Sequence, residues 1–394
     1  MHCLLRWPLL SILLLALPAA AQLPGAEGVS GVVVVDGNHY PRTDAGIAAA
    51  IASLHGPGQV VLPVGVYEIS REIVIGVPGV SILGMGYGSR LSANNPTGNL
   101  IRVTSPLFQL ANVEITSRVE HTAGSIVQIE SEQGSVHHVR FDGSFYNGFT
   151  LDSQRAGGWS FDDIRLLGGT SWNAGFTLRS ATATIASTHL HNIFISNAVH
   201  WKSAAIVLDT GVDTFVCSDS ELGPVQVRNS LHGQAPRWIR FTNSFIEAGY
   251  AGKVGGTALQ IDAARDLRYQ GYFASSQYGV LVGAESRGVQ ISESEFVNIG
   301  RSAVTIAAGA ADVSIVHNTF EDTAVEADAQ FDTVSAEEHS TSLDVSGNTF
   351  KSAQSNRPRF NLALPLDCAS CVADGNRYGG FRSSAVSHPE ATSR

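Results

Sequence analysis

The chain has 394 residues, of which 44% are hydrophobic and only 15% charged, with 40 Gly, 14 Pro and a formal net charge of −10. So apolar and aromatic a composition excludes a disordered chain, and the scarcity of Lys, Glu and Met beside plentiful Gly, Ser, Thr, Val and Ile excludes a helical bundle or coiled coil. The negative charge offers nothing to nucleic acid or to an anionic lipid surface.

In chain order, the first element is a secretory signal peptide over residues 1–21. Arg6 precedes an apolar run from Leu9 to Leu17, and Ala19, Ala20 and Ala21 stand just before Gln22. The run is shorter than the roughly 20 residues a membrane span needs, so the expectation is cleavage, no membrane insertion of the mature chain, and a secreted or periplasmic location. Residues 43–55 then read as a single short helix, with Thr43 or Asp44 as N-cap and apolar positions on one face. Such a helix would plug the open end of a solenoid, which otherwise exposes core and unpaired strand edges.

From Asn112 a short pattern recurs, a polar residue followed by apolar residues at alternate places. Its markers are Asn112, His138, Asp163, Asn192, Asp219, Asn243, Asp266, Ser294, Asn318, Asn348 and Asn376, at intervals of 23 to 30 residues. Self-similarity at this period is the mark of a solenoid. Each repeat holds only four- to six-residue apolar or alternating stretches separated by Gly, Ser, Asn and Asp, so each turn is all β. The fold expected is therefore all-β, a single-stranded right-handed parallel β-helix of about eleven coils. It occupies residues 22–380, with regular coils over 112–378 and a polar tail over 381–394. The markers suit tight corners, which need a residue tolerant of left-handed backbone geometry. His138 and Asp163, which look catalytic in isolation, fall in this ladder.

Ahead of the repeat, Gly58-Gln59-Val60-Val61-Leu62-Pro63-Val64-Gly65-Val66-Tyr67-Glu68-Ile69-Ser70 and Val80-Ser81-Ile82-Leu83-Gly84-Met85-Gly86 resemble the opening of pectate-lyase-superfamily proteins of the rhamnogalacturonase/epimerase-like type. The resemblance covers about residues 30 to 92 and implies the right-handed parallel β-helix. The family's acidic lead-in is reduced to Thr43-Asp44, and the polygalacturonase signatures Asn-Thr-Asp, Gly-His-Gly and Arg-Ile-Lys do not occur. The fold thus carries over further than any activity.

A second column precedes most markers by about ten residues. In Val127-Gln128-Ile129-Glu130, Phe149-Thr150-Leu151-Asp152, Phe176-Thr177-Leu178-Arg179, Ile206-Val207-Leu208-Asp209, Val225-Gln226-Val227-Arg228 and Leu259-Gln260-Ile261-Asp262, alternation points the second and fourth residues outward. Charges cluster on these six coils and stop at Gly283 and Ala307. They place Asp209, Asp152, Arg179 and Arg228 as candidate catalytic residues. Glu130, Gln128, Thr150, Thr177, Gln226 and Asp262 are candidate substrate contacts, and Trp201 and Tyr146 candidate stacking aromatics. Asp209, between two arginines, would serve as base, nucleophile or ligand, and Asp152 or Glu130 as proton donor. The alternative is an ion-pair ladder of exposed charges.

No cofactor is certain, and no metal-ligand set is assigned. Ca²⁺ would be needed if the chemistry were that of a lyase, and the acidic run Asp209, Asp213, Asp219 and Glu221 lacks EF-hand spacing. Cys368 and Cys371 are either a local disulfide or two free thiols, and Cys217 is a buried hydrophobe. The function expected is that of a secreted carbohydrate-active protein, a hydrolase or lyase acting on a polysaccharide, an acidic one by preference, in a groove along the β-helix. The alternative is a non-catalytic glycan-binding or structural cell-surface β-helix.

Overall fold

The computed structural model describes residues 31–379 apart from 153–155, 170–171, 197, 250–255, 328, 354–357, 366–367, 369. The expected signal peptide and polar C-terminal tail lie outside the described residues. Among the described residues every strand pairing is parallel, and the strands form one 20-stranded and one 12-stranded sheet. Successive coils stack in register, as in Val139 opposite Val113 and Ile164, and Ile193 opposite Ile164. About thirteen turns result, two more than expected from sequence. The surplus lies ahead of Asn112, where Gly31–Val34 already pairs with Gly58–Leu62 before any corner marker appears.

The corners explain the markers. Long strands such as Ile185–Ile195 and Arg237–Glu247 bend within themselves at two left-handed residues each, Ser187 and Asn192 in the first and Trp238 and Asn243 in the second, with φ of 51° at Asn192 and 47° at Asn243. Asn112, His138, Asp163 and Asp219 have the same conformation and lie at the same level on successive coils. Asn and Asp accept this geometry because a short polar side chain can bond locally. Farther along, the marker moves one residue and turns inward. The Asn348 Oδ1 accepts the Asn318 amide at 2.9 Å, and the Asn376 Oδ1 accepts the Asn348 amide at 2.9 Å. Asp266 is the exception. It lies opposite Trp238 at a different corner, between the pairs Arg237–Arg265 and Ile239–Leu267, and Gly271 takes the ladder level on that coil.

The core runs along the axis as one continuous column. Phe273, Phe296, Phe320, Phe350 and Tyr378 stack ring on ring with centroids 4.6, 4.8, 4.9 and 5.2 Å apart. That spacing is close to one strand separation, so the coil repeat itself brings the rings into contact. Cys368 and Cys371 are joined, with Cα atoms 5.6 Å apart, and Cys217 is buried, its thiol pushed up to about 12 chiefly by burial.

The helix forms over Asp44–Ser53. Thr43 is its N-cap, and its Oγ1 accepts the Gly46 amide at 3.2 Å. Ile47, Ala50 and Ile51 are buried, and the helix packs against the first strands. Deleting residues 43–55 should leave those strands' apolar faces in water, giving a lower melting temperature and aggregation on size exclusion. A monomer with unchanged melting would refute the capping role.

Candidate functional site

The shorter sheet carries the outward column that sequence alternation picks out. Gln128, Thr150, Thr177, Val207, Gln226 and Gln260 stand directly opposite one another on successive strands. Glu130, Asp152, Arg179, Asp209, Arg228 and Asp262 follow two residues later, each amide bonded to a carbonyl of the preceding coil. Their charges resolve into separate pairs. Arg179 is 2.8 Å from Asp152, Arg228 is 2.8 Å from Asp209, and Arg102 is 3.6 Å from Glu130.

Three members, Val207, Thr150 and Asp209, are buried and are not outward-facing groups in water. Thr150 is 6% exposed and its Oγ1 accepts the Ser125 hydroxyl at 2.7 Å. Asp209 is 0% exposed, because the chain after Arg228 folds back over it. Its Oδ1 accepts the amides of Thr210 and Ser230 at 2.7 and 2.8 Å, and its Oδ2 accepts the Ser230 hydroxyl at 2.6 Å and the Arg228 Nε at 2.8 Å. Burial by itself raises the pKa of Asp209. The Ser230 hydroxyl and amide, the Thr210 amide and Arg228 outweigh that and hold the carboxyl below its ordinary value. Asp209 is therefore a buried, fully bonded carboxylate anchoring a half-buried Arg228, not a member of the exposed pair expected.

Past this anchor the column opens into a pocket of about 330 Å³. Trp201, Gln226 and Gln260 enter it from the shorter sheet and its preceding loop, and Glu221 and Glu247 enter from the strands Glu221–Leu222 and Arg237–Glu247. Glu221 lies opposite Phe245, which places Glu247 two residues farther along the neighbouring strand and on the same face. Such diagonal positions are roughly 8 Å apart at the backbone. Burial, and then the Glu247 carboxylate, raise the pKa of Glu221. The pocket thus holds a carboxyl group biased toward its protonated form beside a second carboxylate and an indole.

Glu221 also lines an open groove of about 860 Å³ on the larger sheet. There Phe194, Glu221, Phe245, Tyr272 and Glu295 occupy one outward column, with the Phe245 and Tyr272 rings 5.2 Å apart. The Tyr272 phenol is raised by burial and then by Glu295, Glu321 and Glu247, a sign of the negative field along this face.

Of the residues expected from sequence, Trp201 and Gln226 line the pocket. Arg228 touches Gln226, and Asp262 touches Gln260. Asp152, Arg179, Glu130, Gln128, Thr150, Thr177 and Tyr146 belong to earlier coils and do not line it. Glu247 went unnoticed in the sequence, and Glu221 figured only in the acidic run. That run disperses: Asp213 binds Arg237 at 2.6 Å, and Asp219 accepts from Asn243 at 2.7 Å. The signal for the missed pair was alternation after the corner, which points Glu221 and Glu247 outward. Among the described residues no group of three or more His, Cys, Asp or Glu is placed to hold a metal ion, and no helix is long and apolar enough to cross a membrane.

The stacked parallel coils, bent corners and aromatic core column define a right-handed parallel β-helix of the pectate-lyase-like kind. Solved structures share the fold. The mannuronan C-5 epimerase AlgE4 A-module of Azotobacter vinelandii superposes with a TM-score of 0.53 at 15% identity, over 86% of this chain and 91% of that one. DFA-IIIase from Arthrobacter chlorophenolicus A6 without its lid gives 0.51 at 12% identity, over 90% and 99%. The AlgE6 A-module of Azotobacter vinelandii gives 0.50 at 14% identity, over 89% and 100%. No protein-family model matches the chain, and neither does any curated protein.

Proposed function

We propose that this chain is a secreted carbohydrate-active enzyme that cleaves a polysaccharide by acid/base hydrolysis at the Glu221–Glu247 pocket. The observation that carries the reading is Glu221, raised by burial and by Glu247 within a pocket walled by Trp201. Two neighbouring carboxyl groups, one of them with a raised pKa, suit glycoside hydrolysis. Glu221, protonated, gives its proton to the glycosidic oxygen as the bond to the anomeric carbon breaks. Glu247 takes a proton from the attacking water or itself adds to that carbon. Trp201 offers a flat face for a sugar ring. The names of two structural neighbours, a mannuronan epimerase and DFA-IIIase, agree with action on carbohydrate.

The test is incubation of the mature protein with a panel of polysaccharides, with and without Ca²⁺, following reducing ends and the ultraviolet absorbance of unsaturated uronates. New reducing ends without that absorbance are expected. Absorbance appearing only with Ca²⁺ would make the protein a lyase, and binding without any product would make it a non-catalytic glycan-binding β-helix.

A further inference from the structure

We propose that the pocket selects an uncharged sugar unit, and that Gln226 and Gln260 read two neighbouring hydroxyl groups on it, one as hydrogen-bond donor and the other as acceptor. The inference rests on the reading of the pocket as a carbohydrate site. It begins with the chemistry of the partners that hold the two amides. The Gln226 Oε1 accepts from Arg228 Nη1 at 3.2 Å and from the Ser203 hydroxyl at 3.4 Å. A guanidinium can only donate, so the oxygen of Gln226 must face it and the NH₂ is left for the pocket. The Gln260 Nε2 donates to the Asp262 Oδ1 at 2.8 Å. An ionised carboxylate can only accept, so the nitrogen of Gln260 faces Asp262 and its oxygen is left for the pocket.

The two glutamines are directly opposite on adjacent strands and both line the cavity. Strands are about 4.8 Å apart. One amide head on each can therefore reach neighbouring hydroxyls of a single ring with ordinary hydrogen bonds of about 2.7–3.2 Å. Arg228 is a positioning residue here. Asp209 fixes its guanidinium from below at 2.8 Å, and the guanidinium in turn fixes the Gln226 amide. A hydroxyl both donates and accepts, so a diol satisfies a donor and an acceptor side by side. A uronate carboxylate satisfies only the donor, would face the Gln260 oxygen, and would be repelled by the Glu247 carboxylate.

The experiment is steady-state kinetics, with calorimetric binding in parallel, of the full chain on neutral and on uronate polysaccharides. The variants are Gln226→Met, Gln260→Met, Arg228→Leu and Arg228→Lys. On a neutral polymer each glutamine variant should raise KM about ten-fold with kcat within a few-fold of wild type, as expected when a binding hydrogen bond is lost. Arg228→Leu should raise KM in the same way because the Gln226 amide is free to turn, and Arg228→Lys, which keeps a donor, should restore it. The glutamine variants keep the question open to a decision even if Arg228→Leu does not fold. Activity on uronate polymers alone would overturn the selection for uncharged sugar while leaving the carbohydrate reading standing. Turnover of a neutral polymer with KM unmoved in both glutamine variants would overturn the diol reading. If wild type neither binds nor cleaves any polysaccharide, both readings fall together.

Discussion

Glu221→Gln is expected to cut turnover by about 10²–10⁴-fold, the usual contribution of a positioned proton donor. It should leave the fold intact or slightly firmer. The sign follows from the direction of its shift. Burial and the Glu247 carboxylate raise the pKa of Glu221 above the ordinary glutamic acid value. A group whose pKa is higher folded than unfolded favours folding below its unfolded pKa, and that contribution is lost as pH rises through the folded value. Once the carboxyl is ionised that contribution is gone, and the neutral amide, free of repulsion from Glu247, loses nothing by replacing it. Wild-type turnover should fall as pH rises through the raised pKa, since the donor is then deprotonated. Glu247→Gln removes the neighbouring charge and should bring the Glu221 titration down, measurable by carbon NMR of the labelled carboxyl. Full activity of Glu221→Gln, with its alkaline limb unmoved, would remove this residue from the mechanism.

Asp209→Ala is expected to show the opposite pattern, a large loss of stability. It strips a buried carboxylate from Arg228 and leaves the amides of Thr210 and Ser230 and the Ser230 hydroxyl without their acceptor. Each buried donor left without its acceptor typically costs about 1–3 kcal/mol, while the one-third exposed Arg228 regains water. Asp209→Asn keeps the shape and should cost less. The pH dependence also reverses. The folded pKa of Asp209 is depressed, so its contribution is fully present above the unfolded value and is lost as pH falls through the folded one. Denaturant unfolding of wild type and Asp209→Asn should therefore differ most at neutral pH and converge in acid. An Asp209→Ala variant that melts like wild type but has lost all turnover would return this residue to the chemistry.

The contrast between these two carboxylates marks where sequence reading stops. The solenoid was legible because a coil repeats its own constraints. Each turn needs a left-handed corner, which Asn112, His138, Asp163 and Asn192 supply, and each strand needs alternate apolar residues to face the axis. The register of Gln128, Thr150, Thr177, Gln226 and Gln260 follows from the same alternation and was readable too. Asp266 was misplaced because one Asp in a strand does not say at which of two corners it sits, and Gly271, with no side chain, gave the true ladder position no polar signal.

What the tertiary structure decided is which outward residues meet a cavity and which are covered. Asp209 has the alternation of an exposed residue, and only the return of the chain at Ser230 buries it. Glu221 and Glu247 are 26 positions apart in the chain and become diagonal neighbours through the pairing of Glu221 with Phe245. Alternation is a property of one strand and is set by local backbone geometry. Burial of a polar group, the approach of two carboxylates and the direction of a pKa depend on atoms brought in from other coils and loops, and no local pattern encodes them.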